Sequence, residues 1–582
     1  MKILGALFLA LILLACETES KDQLPPFTTQ FEKSSGQETA TYEELVDFYI
    51  QLARRFPEVN VQTVGETDSG YPLHVVTYNP EGTFNFQKLR EEKTVILINN
   101  GIHPGESDGI DATMLLFRDL ATGKSDVPKN TVLVTIPVYN VGGALNRNTG
   151  TRANQNGPKS YGFRGNALNY DLNRDFIKAD SKNARTFTEI FHLVKPHVFI
   201  DTHVSNGADY QYTLTHLFTQ HNKLGGELGE FVNQELMPTL VKTLKTKDWE
   251  IAPFVNVYHQ VPEKGFAQFL DHPRYSTGYA ALWNTLGLMV ETHMLKPYNQ
   301  RVRGTYDFLA SILQIVDDKN QRIIDLRKNA RTRHKEWIHY PISWAMDTTR
   351  VSKIRFKGYA ADTLISKVTG FPRLKYDRTR PFTKEIPYQN HYTPIDSVKI
   401  PKAYILKKPW RNVLALLNLN KIIYKPLKQD TIISVESYRI KDYKTMESPY
   451  EGHYPHFATS VVKDTLSITF SEGDLMIPLD QPGIRYLLET LEPQASDSFF
   501  NWNFFDTILQ RKEGFSPYVF EDIATKMLQA DPQLLEAFTA KKKMDTIFAN
   551  SWYLQLDWLY QRSRHYEKAH LQYPVYRLMD MD

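Results

Sequence analysis

The sequence predicts an α/β fold for roughly its first 340 residues, and three observations predict it. Short apolar, β-branched runs recur: Thr94-Val95-Ile96-Leu97-Ile98, Thr131 to Tyr139, His197 to Ile200 and Leu286 to Val290. Continuous apolar runs of this length read as strands buried on both faces. A segment from Ile110 to Leu120 follows the first run with Ile110, Met114, Leu115 and Phe117 at helical spacing. Three of the runs also lead into residues that carry chemistry: His103 and Glu106, then His203, then Glu291. Ligands of open α/β sheets bind beyond the carboxyl ends of the strands, where these residues stand.

Length and composition bound the rest. A chain of 582 residues exceeds one compact core, so two or three domains are expected. The 42% hydrophobic and 23% charged content is that of a globular protein. A net charge of +3 gives no electrostatic case for nucleic acid, and no such partner is expected. The single Cys, Cys16, excludes a disulfide framework. Oligomeric state is not readable.

In chain order, residues 1–16 open with Lys2 and an apolar run too short to span a bilayer, the pattern of a secretory signal. Residues 17–40 are polar and read as a flexible tether. Thr41 followed by Glu44 forms a capping-box pattern, and Leu45, Phe48, Tyr49 and Leu52 continue it as an amphipathic helix that ends near Pro57. Strands are expected near Val59 to Val64 and Leu73 to Tyr78. His103 and Glu106 then sit on a strand-to-helix turn. Two His and one carboxylate, with no Cys to close the shell, make a catalytic zinc set: His103, Glu106 and His203 around Zn²⁺. The loop from Asn146 to Asn169 carries Arg147, Arg152 and Arg164, any of which could hold a carboxylate or an oxyanion. Asp171-Leu172-Asn173-Arg174 comes next; Asn173 and Arg174 offer planar donors for a carboxylate. Asp201 shares the face of His203 and suits a supporting role. Helices are expected near Gly225 to Lys245 and Tyr306 to Ile315. Tyr275, Tyr279, His272 and His293 flank Glu291 as pocket-wall residues, and His453 and His456 are read the same way.

Beyond about Trp344 strand-like runs recur at Ser397 to Ile400, Ala403 to Leu406, Thr431 to Ser437 and Ser467 to Phe470. Helical segments succeed them at Ile484 to Leu491, Tyr518 to Leu528 and Pro532 to Phe538. A β-rich and helical accessory domain over 345–582, without a catalytic constellation, is the expectation.

His-Pro-Gly-Glu, Asp-Leu-Asn-Arg, a later His closing a strand and a Glu closing a further strand together resemble the zinc carboxypeptidase family, over roughly residues 40–335. The resemblance implies a mixed-sheet catalytic domain over 41–340 that hydrolyses the C-terminal bond of peptides. It implies Glu291 as general base, Arg152 ahead of Arg147 for the oxyanion, and Asn173 with Arg174 on the substrate terminus. It further implies Asp171 as acceptor from His103, and Tyr275 or Tyr279 as the residue covering the bound terminus. The chain departs from many relatives at Asn140-Val141-Gly142-Gly143. Leu13-Leu14-Ala15-Cys16 resembles a bacterial lipobox, which implies lipidation of Cys16 and membrane attachment. The expected location is the bacterial cell envelope, at the outer membrane. Zinc acylases of the aspartoacylase and succinylglutamate desuccinylase type share His-x-x-Glu and Asp-Leu-Asn-Arg, and a surface binding protein with a decayed site is the non-enzymatic alternative.

Overall fold

The computed structural model describes residues 27–579. The signal and lipobox reading, with Cys16, lies outside them. Among the described residues no helix is long and apolar enough to cross a membrane.

The N-terminal part is built on an eight-stranded mixed sheet. Its strands are β1 (Val59–Glu66), β2 (Pro72–Tyr78), β3 (Thr94–Asn99), β4 (Thr131–Ile136), β5 (Val198–Ser205), β6 (Leu214–Phe218) and β7 (Ile251–Pro253). The two-residue β8 (Phe266–Ala267) stands outside it, and β9 (Leu286–His293) completes it. The order is β1-β2-β4-β3-β5-β9-β6-β7. β4, β3, β5 and β9 are parallel neighbours, while β1, β2 and β6 pair antiparallel. Every residue of β3, β4, β5 and β9 is buried, which is what their unbroken apolar runs require.

Side chains alternate along β5 and fix what covers each face. Phe199 packs on Phe187 and Phe191 of helix Lys182–Val194. Thr202 points to the other face, against helix Asp108–Ala121. There Gly109 approaches so closely that an added Cβ would lie 2.0 Å from Thr202 Oγ1. The helix start is thereby pressed onto the strand end, and Glu106 is held at the sheet edge. The chain passes from β3 to β4 on one side and to β5 on the other, so His103 emerges where the strand order reverses.

The flexible tether expected over 17–40 is corrected for its described part. Thr29 and Glu32 form a capping box that starts helix Gln30–Lys33. Phe27 packs on Phe48 and Phe56, Phe31 is buried against Tyr298, and Glu32 pairs with Arg118 at 2.6 Å. Two aromatic anchors outweigh the polar composition around them.

The C-terminal part is β-rich. β10 (His339–Met346) comes after helix Asn320–Thr332 of the N-terminal part. A long hairpin, β11 (Ser352–Ile365) and β12 (Pro372–Gln389), pairs through β12 with β8. Its base shares a small aromatic core, Tyr210, Tyr212, Phe266, Phe356 and Tyr388, with the N-terminal part. β13 (Tyr392–Lys399) pairs with β10. A six-stranded sheet is formed by β14 (Ala403–Leu406), β15 (Lys425–Pro426), β16 (Thr431–Thr445), β17 (His456–Phe470), β18 (Leu475–Pro478) and β19 (Val575–Leu578), in the order β15-β18-β14-β19-β16-β17. The main apolar core runs through both parts: Trp283 stacks on Tyr486 at 5.9 Å.

Candidate active site

His103, Glu106 and His203 converge at the carboxyl edge of the sheet, with one ligand atom of each within 4.8 Å of the others. Each imidazole is oriented from behind. His103 Nε2 lies 3.0 Å from Asp171 Oδ1, and His203 Nε2 lies 3.0 Å from Asp201 Oδ2. Donation of Nε2–H to these carboxylates turns both Nδ1 atoms toward Glu106, at 3.2 and 3.1 Å, where each offers a lone pair to a metal when its ring is neutral. Asp201 is itself held by Ser276 Oγ–H at 2.5 Å and Asn99 Nδ2–H at 3.2 Å. Two imidazole nitrogens and a carboxylate, each with an outer hydrogen-bond partner, fit zinc.

Without a metal, the charges of the cluster are set by its own members. Burial opposes charge on Glu106, yet His103 and Arg152 hold its carboxyl well below the usual range. Burial also opposes charge on His203, yet Asp201, Glu106 and Glu291 hold it protonated well above the ordinary histidine value. Glu291 behaves oppositely. Burial pushes it up to about 8, with Glu106 and Asp201 adding to the shift and His203 offsetting it. Its Oε2 is buried without a protein hydrogen-bond partner. A carboxylate beside the ligand set, buried, unpaired and titrating near neutrality, is suited to proton transfer.

These groups line one cavity of about 600 Å³, together with Arg152, Arg164, Asn173, Arg174 and Tyr275. Residues 45–197 match the family described as zinc carboxypeptidase. That match ends six residues short of His203, so the fold, not the match, supplies the second His and Glu291.

Among solved structures the chain is similar to a metallo-carboxypeptidase from Burkholderia cenocepacia, at 16% identity over 48% of this chain and 70% of that one, TM-score 0.35. It is similar to a metallo-carboxypeptidase from Pseudomonas aeruginosa at 14% identity over 48% and 70%, TM-score 0.35. It is also similar to the carboxypeptidase A from Helicoverpa armigera at 14% identity over 50% and 74%, TM-score 0.34. No curated protein matches the chain.

Around this cavity the three loop arginines part company. Arg147 does not reach the cavity; it donates to the carbonyls of Ala40, Thr39 and Ser160 and fastens the N-terminal segment. This removes it from the oxyanion candidates. Arg152 has Nε on Gln155 and Nη1 on Glu106 at 2.9 Å, and its side chain is 13% exposed. Arg164 grips Asp171 through Nε and Nη2, at 3.1 and 2.8 Å. Its Nη1 points between the ligands, 3.4 Å from His103 Nδ1 and 3.6 Å from Glu106 Oε1, and its side chain is 46% exposed. Besides Arg164, Asp171 accepts from His103 and from the N–H of Asn173, capping the single turn Leu172–Arg174.

Tyr275 lies in the cavity with Arg174 over its ring at 4.7 Å. Tyr279 is a correction: it is fully buried and its hydroxyl donates to Asn420 at 2.8 Å, away from the cavity. Tyr275 precedes the helix Ser276–Leu282, whereas Tyr279 faces its core side. His293 and His272 do not line this cavity. His293 bonds the Ala208 carbonyl, and His272 with His456 borders a separate cavity. His453 pairs with Asp180. Sequence reading misses Ser276 and Asn99 behind Asp201, and nothing local marks either.

Proposed function

We propose that the chain hydrolyses the C-terminal peptide bond of peptides. The observation that carries this is the shared cavity. The His103, Glu106 and His203 set, the unpaired Glu291 and the Asn173–Arg174 pair all open into it. Zinc bound to that set supplies Lewis-acid polarisation of a carbonyl and an acidified water. Glu291 takes the proton of the attacking water and returns it to the leaving amine. Arg174, its guanidinium resting on Tyr275, receives the terminal carboxylate, and Asn173 presents its amide beside it. We assign support of the developing oxyanion to Arg164 ahead of Arg152, because Arg164 Nη1 faces the ligands while Arg152 is committed to Glu106 and Gln155.

The floor of the cavity supports a substrate class. Leu217 on β6 and Met289 on β9 are register partners, and Met289 shares a face with Glu291 two residues on. Phe254 and Phe269 extend this apolar wall. An apolar terminal side chain fits it.

The deciding experiment is a terminal-residue scan with the purified, zinc-loaded protein, run beside N-acyl amino acids. Release of apolar terminal residues from peptides is expected. Release of an acid from N-acyl amino acids alone would replace the reading with the acylase one, and zinc uptake without hydrolysis would leave a binding protein. Attachment to the outer membrane through Cys16 is a companion proposal. A fatty-acid probe should label the wild type in cells and leave Cys16→Ala unlabelled; equal labelling and membrane partition would refute it.

A further inference from the structure

The sequence predicts no chemistry in the accessory region, yet one of its turns reaches the carboxypeptidase site. Tyr450 and His453 form an isolated antiparallel bridge with both backbone hydrogen bonds, 2.7 and 3.1 Å, closing a two-residue hairpin turn. Its central residues, Glu451 and Gly452, both have positive φ, +50° and +81°. Such turns favour Asn, Asp or Gly at the first position. Glu there is strained, and strain of this kind persists where the surroundings impose it.

The surroundings are the segment that carries the substrate and metal-orienting residues. Glu451 Oε2 accepts the backbone N–H of Asp171 at 2.8 Å. A Cβ on Gly452 would lie 3.0 Å from Tyr170, so the turn rests on the residue before Asp171. His453 Nε2 lies 2.7 Å from Asp180 Oδ2, which also holds Lys178 Nζ at 2.8 Å. From behind, Tyr450 stacks on Trp502, and Arg274 covers both rings. Three consecutive residues of the accessory region thus bind the stretch 170–180. That stretch holds Asp171 against His103 and aims Asn173 and Arg174 into the cavity.

We propose that Glu451 is a positioning residue of the active site. It fixes the backbone at Asp171, and through it the orientation of His103 and the aim of Arg174. The substrate arm of this proposal rests on the peptidase reading; the metal arm rests on the ligand set alone.

The test uses the full chain with Glu451→Gly, Glu451→Asn and Glu451→Gln. Gly and Asn accept the positive φ but do not reach Asp171. Gln retains an acceptor oxygen at the same distance along the side chain. Zinc affinity is measured by chelator competition, melting temperature by thermal denaturation, and kcat and KM on an apolar-ended peptide. Gly and Asn are expected to melt no lower than wild type, to bind zinc up to about tenfold more weakly, the lower end of what losing the outer-shell carboxylate itself costs, and to raise KM more than they lower kcat. Gln should stay close to wild type in all of these. If Glu451→Gly and Glu451→Asn both bind zinc as tightly as wild type, the turn is only an interdomain rivet and the proposal fails. Should the wild type cleave no peptide, the peptidase reading fails while the zinc measurement still decides the role of Glu451.

Discussion

His203 and Glu291 are register partners on the adjacent parallel strands β5 and β9. Partners in a ladder point to the same face, so a histidine of the candidate zinc set and a carboxylate outside it emerge side by side from neighbouring strands. Glu291 lies outside the candidate ligand set; the residue lines the cavity and its buried Oε2 has no hydrogen-bond partner. A ligand and a proton acceptor must be distinct groups, and the ladder keeps them distinct.

Glu291→Gln is therefore expected to retain zinc and lose turnover by about 10²–10⁴, the usual reach of general-base catalysis. His103→Ala is expected to lose the metal. Metal content by mass spectrometry and kcat on a peptide check both. A Gln variant with near wild-type turnover refutes the base assignment, and a zinc-free one makes Glu291 a ligand.

Zinc uptake should release protons. Without metal, Asp201 and Glu106 outweigh burial and keep His203 charged, while burial pushes Glu291 up to about 8. Ligation requires neutral imidazole, and a nearby cation favours ionised Glu291. At pH 7 the release should be about one to two protons. It should shrink as pH rises past 8, where Glu291 is already ionised, and zinc affinity should weaken as pH falls. Calorimetric titration in buffers of different ionisation enthalpy counts these protons; zero release at pH 7 would contradict the assignment.

The convergence of His103, Glu106 and His203 is legible in the sequence because its signals are local and topological. Apolar runs announce β3, β5 and β9, and a parallel sheet gathers the residues beyond its strand ends at one edge. The Thr41–Glu44 box is legible because it too is local, and it forms as read. Choices between like residues are not legible. Arg147, Arg152 and Arg164 share one loop, and only packing shows that the first is bound to carbonyls of residues 39, 40 and 160. Tyr275 and Tyr279 are one helical turn apart, and the helix starts between them. The β11–β12 hairpin escapes sequence reading because only its base alternates, at Lys353 to Lys357 and Ile386 to Tyr388, while the outer part of both strands is exposed and polar with no buried face. Glu451 stands 280 residues from Asp171, and no local pattern connects them.

The apolar floor predicts a specificity change. Met289 and Leu217 face each other across β9 and β6 beneath the cavity. A lysine or arginine side chain there would leave a charge without a partner in an apolar wall. Wild type should favour Phe- or Leu-ended peptides over Lys-ended ones by about a hundredfold or more in kcat/KM. Met289→Asp should narrow or invert that ratio. An unchanged ratio would mean that the terminal side chain does not enter this part of the cavity.

Glu489 predicts a pH dependence of stability that is separate from catalysis. It is buried in helix Ile484–Leu491 of the accessory region and accepts from Tyr340 Oη–H at 3.1 Å. Burial pushes it from 4.5 up to about 7; Lys223 and Tyr340 offset the shift and Asp497 adds to it. Lys223 belongs to the N-terminal part, and Arg485 donates to its carbonyl at 3.1 Å, so the acid sits where the two parts meet. The folded state holds this proton more tightly than the unfolded chain. Stability linked to Glu489 is thus complete below the unfolded value of 4.5, falls as pH rises toward 7, and is level above that. The full loss is about 3 kcal/mol, from about 1.4 kcal/mol per pKa unit. Glu489→Gln keeps an acceptor for Tyr340 and carries no charge, so it should lack this dependence. Urea unfolding at pH 5 and pH 8 should show the Gln variant gaining on wild type as pH rises. A constant difference between the two proteins would show that Glu489 ionises as freely in the folded chain as in the unfolded one.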